Sequence, residues 1–318
     1  LALLTGAPAA AQTFSISVST APNMGNVVAA SSGPTTFRFS SAGAVSKLSG
    51  SGLRSTAGTV RGVLQISCVG QGSVCNGAVA KVRIGAIGTP GGKAGALSNF
   101  TVLMGTGGTM GSVTGTNPVE FTVTQQNKNN NPIVYFGADI PFNGNDGAGA
   151  PGSATSGFYA YIANSPTTPT TGVSGNLLAV VSRPISVTGS PTLSFGTVMK
   201  PYNGAGSVSL NPSNNSRTVA GNGAGGVGAP TPQRASYTVT GEGGQAISVS
   251  VPGTFAMNGP GGEAVDVTLL NSGLPTSLSN TPGSEGTASF YVGGTFTIRS
   301  DMPVGDYSSV YSVTAQYN

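Results

Sequence analysis

Histidine and tryptophan are absent from this 318-residue chain, and only 7% of its positions are charged, against about 25% in an ordinary globular protein. Without histidine the chain lacks the usual proton shuttle near neutral pH and the commonest metal ligand. Ser-His and Cys-His nucleophile pairs are therefore excluded. Nine acidic residues leave few carboxylates for acid–base work, and two cysteines are too few for a zinc site with no histidine to complete it. After the first residues, no stretch approaches the roughly 18 apolar residues of a membrane span. What fills the chain is glycine, 51 residues of it, with serine, threonine, valine and alanine.

A disordered chain combines high net charge with few β-branched and aromatic residues. Here Val, Ile, Thr, Phe and Tyr recur in short runs, so the chain reads as ordered, with length for about two domains of roughly 150 residues. The net charge of +4 reflects scarce acids rather than abundant bases. Lys81 and Arg83 would share one strand face, but a nucleic-acid footprint needs a clustered basic stripe interleaved with aromatics, and none is present. No nucleic-acid partner is expected.

Leu1-Ala2-Leu3-Leu4 leads through Gly6 and Pro8 to Ala9-Ala10-Ala11-Gln12. This reads as the end of an apolar signal region with an Ala-x-Ala cleavage site over residues 1–12; a flexible Ala-rich tail is the alternative. The first reading predicts a secreted or cell-surface protein. Cys68 and Cys75, seven positions apart, agree with it: an even pair in an exported chain favours a disulfide, here closing a Gly-rich loop.

Nearly every periodic run has period two, the mark of a half-buried strand. Examples are Phe14-Ser15-Ile16-Ser17-Val18, Tyr237-Thr238-Val239-Thr240, Ile247-Ser248-Val249-Ser250-Val251 and Val265-Asp266-Val267-Thr268-Leu269. Gly, Pro, Asn and Ser clusters separate them at the short spacing of sandwiches and barrels. The expected fold class is all-β.

The two halves echo one another. Pro191–Val198 parallels Pro22–Val28, and Ser289–Ile298 parallels Ile133–Ile140. A tyrosine-bearing closing strand follows each of the latter, Asp306–Tyr317 and Gly157–Ile162. The expected organisation is an N-terminal β-sandwich over 13–164, a linker with an extra strand over 165–187, and a C-terminal β-sandwich over 188–318.

The C-terminal half carries Leu193-Ser194-Phe195-Gly196-Thr197, Tyr237-Thr238-Val239-Thr240-Gly241, Phe290-Tyr291-Val292-Gly293-Gly294-Thr295, Pro303-Val304-Gly305-Asp306-Tyr307 and Val313-Thr314-Ala315-Gln316-Tyr317. In these it resembles exported domains of unknown function from Gram-negative bacteria, which are similar in turn to spore-coat-U-like and fimbrial pilin domains. The N-terminal half departs from the pattern, with Gly137-Ala138 in place of Gly-Gly. The resemblance implies tandem Ig-like, pilin-like sandwiches displayed on a bacterial surface, and it brings no catalytic residue and no cofactor.

An Ig-like sandwich leaves strand edges with unpaired backbone groups, and an added strand can complete such an edge. Phe14, Ile16 and Val18 would project to one side of a donor strand for a neighbouring copy; equally, the run can be the first strand of its own domain. Leu177, Leu178, Val180 and Val181 belong to the most apolar run after the N-terminus, either a last core strand of the first domain or a strand between domains or subunits. The expected function is a structural subunit of an extracellular filament or surface layer, a homopolymer built by strand complementation or edge pairing. The alternative is a monomeric adhesin or glycan-binding module, meeting a cell or host surface through loops such as 125–131.

Candidate chemistry is sparse. Gly221-Asn222-Gly223-Ala224-Gly225-Gly226 has the spacing of a dinucleotide fingerprint but no helix to follow it. Gly92-Lys93 is followed by Ala94, where a phosphate loop needs Ser or Thr. Asp301 and Asp306 flank a turn, which accounts for both. Asn143-Gly144-Asn145-Asp146-Gly147, with Asp139, is oxygen-rich like a calcium loop but lacks the later glutamate. No metal site and no enzymatic activity are expected.

Overall fold

The computed structural model describes residues 12–70 and 73–318, so the cleavage-site reading at Ala9-Ala10-Ala11 lies outside the described residues. The chain divides into two compact units, the first ending at Pro184 and the second running Ile185–Asn318. The expected all-β class holds: among the described residues, strands alternate with turns, and the single helical element is one 3-10 turn at Pro260–Gly262.

In the first unit the strands are β1 (Thr13–Thr20), β2 (Asn23–Val28), β3 (Thr35–Phe39), β4 (Val45–Ser49), β5 (Leu53–Arg54), β6 (Gly62–Val69) and β7 (Val79–Ala86). They continue with β8 (Ser98–Met104), β9 (Gly108–Thr114), β10 (Val119–Gln125), β11 (Ile133–Phe142), β12 (Gly152–Asn164) and β13 (Gly172–Ser182). One sheet has the order β1-β6-β11-β3-β4, with β8 also paired to β11; the other runs β5-β2-β13-β12-β7-β10-β9. The β2–β13 ladder is parallel.

Period-two alternation sends one face of each sheet into a shared core. Leu64 and Ile66 of β6, Val82 and Ile84 of β7, and Phe136 of β11 are fully buried there. Phe136 packs on Phe158 of β12 with ring centroids 4.8 Å apart. The opposing position, Gly62, makes room for that ring: a Cβ at Gly62 would lie 1.9 Å from Phe136 Cε1. Burying each such ring stabilises the unit by roughly 1.5–3 kcal/mol.

The second unit contains β14 (Ser186–Ser190), β15 (Val198–Met199), β16 (Ala205–Leu210), β17 (Arg217–Ala220), β18 (Gly225–Gly226) and β19 (Ala235–Glu242). There follow β20 (Ile247–Ser250), β21 (Thr254–Asn258), β22 (Ala264–Asn271), β23 (Glu285–Arg299) and β24 (Thr314–Tyr317). Its main sheet is β14-β19-β23-β16-β17, with β22 on β23 and β21 on β22, while β15–β18 and β20–β24 form separate two-stranded ladders. Its own core gathers Val208, Val239, Val267, Phe290 and Val292.

The internal echo has a structural counterpart. β11 and β23 each sit mid-sheet and pair with three neighbours. Taken in chain order, the first, sixth, third and fourth strands of each unit take the same places around the mid-sheet strand, β11 in one and β23 in the other. The expected closing strand Asp306–Tyr317 is shorter than its pattern implied, since only Thr314–Tyr317 pairs along a ladder. Upstream of it, Ser308 makes one bridge to Asn258, and the Tyr307 hydroxyl donates to the Pro303 carbonyl at 3.0 Å, so this stretch folds back on itself.

The segment expected as a linker with an extra strand contains β13, which is integral to the first unit. It pairs with β12 from Gly172 to Val181 and with β2 from Leu178 to Ser182. Leu177 and Val181 point into the core and are fully buried, whereas Leu178 and Val180 face outward, 45% and 48% exposed. The four residues grouped by their apolarity therefore divide between two faces, as a period of two requires.

Candidate assembly edges

β1 lies at the margin of its sheet. Phe14 and Ile16 are buried in the first unit's core, and Val18 packs against it half-buried. The strand pairs with β6 from Thr13↔Val69 to Thr20↔Val63, with a register shift between Val18 and Thr20. In the single chain, then, the run considered as a donor for a neighbour fills its own sheet. Among the described residues no strand pairs with its other backbone edge. Near its start, the Gln12 carbonyl accepts a hydrogen bond from Asn164 Nδ2 at 2.9 Å, tying β1 to the end of β12.

Cys68 and Cys75 form a disulfide with Cα atoms 5.9 Å apart. Cys68 stands opposite Phe14 in the β1–β6 ladder, so the bridge anchors the end of the strand on which β1 rests.

Edge strands of soluble proteins are commonly protected by charge, proline or bulges. Several edges here carry no charged residue at all: β1 (TFSISVST), β9 (GTMGSVT), β14 (SVTGS), β21 (TFAMN) and β24 (TAQY). On β1 the outward side chains are Thr13, Ser15, Ser17 and Ser19, small hydroxyls that let a neighbouring backbone approach.

The few charges are mostly spent within the fold. Lys81 Nζ lies 2.9 Å from Glu120 Oε2 and Arg83 Nε 3.4 Å from Oε1 of the same carboxylate, so the basic pair on β7 is offset from β10. Arg299 bridges Glu263 at 2.6 Å and Asp301 at 3.1 Å; Asp301 is thus held by a guanidinium. Asp139, buried on β11, takes two hydrogen bonds from Arg38, at 2.6 and 2.8 Å, and a third from Asn99 Nδ2 at 2.8 Å. Burial pushes its carboxyl up, but the hydrogen bonds from Arg38 and Asn99 and the Arg38 charge outweigh that and hold it below the usual range.

The calcium-like loop is organised around a cation of the chain itself. Lys93 is only 2% exposed, and its Nζ donates to the carbonyls of Gly144 at 2.7 Å and Gly147 at 3.3 Å. Asp146 Oδ1 accepts from the Gly33 amide at 2.9 Å, and Asp139 is engaged elsewhere. The lysine had no distinguishing signal beyond its place in a Gly-rich turn. Burial pushes its ammonium below the usual lysine range, Arg183 adds to the shift and Asp146 opposes it.

The glycine-rich run Gly221–Gly226 forms a turn and the short β18, with no helix after it. The loop 125–131 is stiffened by its own side chains: Gln125 Nε2 donates to the Asn127 carbonyl at 2.8 Å, and Asn127 Oδ1 accepts from the amides of Asn129 and Asn130. Among the described residues no three His, Cys, Asp or Glu side chains gather as a metal site, and no helix is long and apolar enough to cross a membrane.

No curated protein matches the chain. Residues 185–317 match the model of a family described as a domain of unknown function, DUF4402, so it is the second unit, taken almost whole, that is similar to that family.

Proposed function

We propose that this chain is a structural subunit of an extracellular filament or surface layer, joined to copies of itself by pairing of sheet edges or by strand complementation. The observation that carries this reading is the set of uncharged edge strands, β1 foremost, whose outer backbone edge pairs with no strand among the described residues. An edge of that kind is a template for a further strand. The pairing of several of the scarce charges within the fold supports the same reading, because close packing of identical surfaces is costly where unpaired charge becomes buried. The disulfide fits an oxidising, extracytoplasmic compartment, and the resemblance of the second half to pilin-like and spore-coat-like domains favours surface display. Negative-stain electron microscopy and sedimentation of the purified chain test the proposal. Ordered filaments or sheets are expected, and a uniformly monomeric population at high concentration overturns it.

A second reading, a monomeric glycan-binding module, draws on the outer face of β12. There Tyr159 and Tyr161 place their rings 4.4 Å apart, and Tyr161 stands opposite Arg83 of β7. Aromatic faces beside a cation can stack on a sugar ring. Binding on a glycan array that is lost in Tyr161→Ala would favour this reading over assembly.

A further inference from the structure

Within the first unit, β12 lies between β7 and β13, and β13 lies between β12 and β2. The backbone groups of both strands are therefore engaged in ladders, and whatever meets their outer face is read by side chains. Register sets which side chains those are. On that face Tyr159 of β12 stands opposite Ser174 of β13, and Gly157 stands opposite Asn176. Toward β7, Tyr159 pairs with Gly85, and the Ile87 amide donates to the Gly157 carbonyl at 3.1 Å.

Gly157 interrupts the outward row of β12, since it brings no side chain. A depression of about 260 Å³ opens there, lined by Ser174, Gly175 and Asn176 of β13 and by Ile87, Gly88 and Thr89 after β7. Tyr159, the next outward residue of β12, leans over Gly85, where a Cβ would lie 2.7 Å from its hydroxyl. Ser174, Asn176 and Thr89 are exposed, and among the described residues their side chains make no hydrogen bond. No charged residue lines the depression, and Arg83, opposite Tyr161, is already paired with Glu120. A carboxylate or phosphate would find no cation here. Free hydroxyl and amide groups beside an aromatic ring and the exposed Ile87 suit a ligand that is polar at its rim, apolar on its face and uncharged. A pyranose ring has that form, with C–H groups on its faces and hydroxyls around its edge. The Asn176 amide both donates and accepts, which matches two adjacent hydroxyls.

We propose that this depression is a subsite for a neutral pyranose sugar. Asn176, Ser174 and Thr89 hydrogen-bond its hydroxyls, and the Tyr159–Tyr161 pair takes the next ring of the same glycan. From Tyr161 to Gly157 the strand runs about 13 Å, a length for an oligosaccharide rather than a single sugar. The proposal rests on the aromatic face of the second reading but not on its monomer, because a site inside a sheet does not compete with pairing at the sheet edges for backbone hydrogen bonds.

The test uses the full chain and soluble neutral tetrasaccharides of α-1,4-glucose, β-1,4-glucose, β-1,4-N-acetylglucosamine and β-1,4-galactose, with tetragalacturonate as the acidic control. The chain has no tryptophan, so tyrosine emission reports binding directly. Saturable binding of at least one neutral probe is expected. Asn176→Ala should weaken it about three- to tenfold, as for a lost hydrogen bond, and Tyr159→Ala about tenfold. Ser174→Lys, which fills the depression without touching an aromatic ring, should abolish it. Asn176 and Ser174 are exposed, so their variants should keep the Tm. Tyr202→Ala, at an exposed tyrosine of the second unit, should bind as the parent does. Binding that none of the three variants in the first unit weakens overturns the subsite and leaves a glycan module with its site elsewhere. Preference for tetragalacturonate overturns the neutral ligand. No binding of any neutral probe overturns the subsite, and a hit on the glycan array would then leave the second reading standing without it. Binding that Asn176→Ala and Ser174→Lys reduce, in a chain that still forms filaments, supports the subsite and removes the monomer.

Discussion

Lys93 donates a hydrogen bond from Nζ to the carbonyl oxygen of Gly144 at 2.7 Å, from a side chain almost wholly removed from solvent. The loop carbonyls that would otherwise lack donors are thereby satisfied. Lys93→Met should leave them unpaired and lower stability by about 1–3 kcal/mol. Exchange protection should fall first at residues 143–149, and a urea titration with local exchange measurements checks both.

Asp139 makes the first unit sensitive to acid. Its folded-state carboxyl titrates below the usual value, so its stabilising contribution is complete above about pH 4–5 and is lost as pH falls through the lower folded value. Asp139→Asn should cost about 1–2 kcal/mol at pH 7, a modest figure because Arg38 is partly solvated. The variant should also show a flatter decline in Tm between pH 5 and pH 2.

Tyr311 acts at the opposite end of the pH scale. Burial pushes its phenol up, and the hydrogen bond from the Tyr237 hydroxyl at 3.0 Å adds to the shift. The stability gained by keeping it neutral is present below about pH 10, where an unfolded tyrosine ionises, and is lost as pH rises beyond that value. Absorbance titration at 295 nm should show a late-ionising phenol among the nine tyrosines, missing in Tyr311→Phe.

Replacing Cys68 and Cys75 with serine should cost about 2.5 kcal/mol by the chain-entropy relation for so short a loop. The loss should be felt at β1 through the Phe14↔Cys68 pairing. Faster exchange at residues 13–18 is the expected local sign.

Charge placed on the outer face of β1 should stop assembly without unfolding the unit. Ser15 and Ser19 are exposed, so Ser15→Lys with Ser19→Lys should change stability by less than about 0.5 kcal/mol. Filaments should be lost while Tm is kept; filaments unaffected by the pair would place the joint elsewhere than on β1.

The strand pattern was readable wherever one face is polar. β1, β19, β20 and β22 alternate apolar with Ser, Thr or Asp, and each forms where its alternation placed it. β13 was harder because its outward Leu178 and Val180 are apolar too, so its period is hidden and the run resembles a buried connector. The alternation of Phe14–Val18 fixes which side chains turn inward but carries no mark of whose sheet receives them. Arg38 and Asp139 are 101 positions apart, and nothing local to either announces the other. Lys93 stands alone in a Gly-rich turn, and only the folded arrangement of β11 and the following loop makes it an internal cation.

The parallel β2–β13 ladder also has a mechanical meaning. When tension reaches the beginning of β2 and the end of β13, the two strands are drawn past one another along their length. The hydrogen bonds from Leu178 to Ser182 are then strained together, whereas an antiparallel hairpin pulled at its open end yields one bond at a time. The first unit is thus arranged to hold under stretch along the ladder where its last strand meets its second.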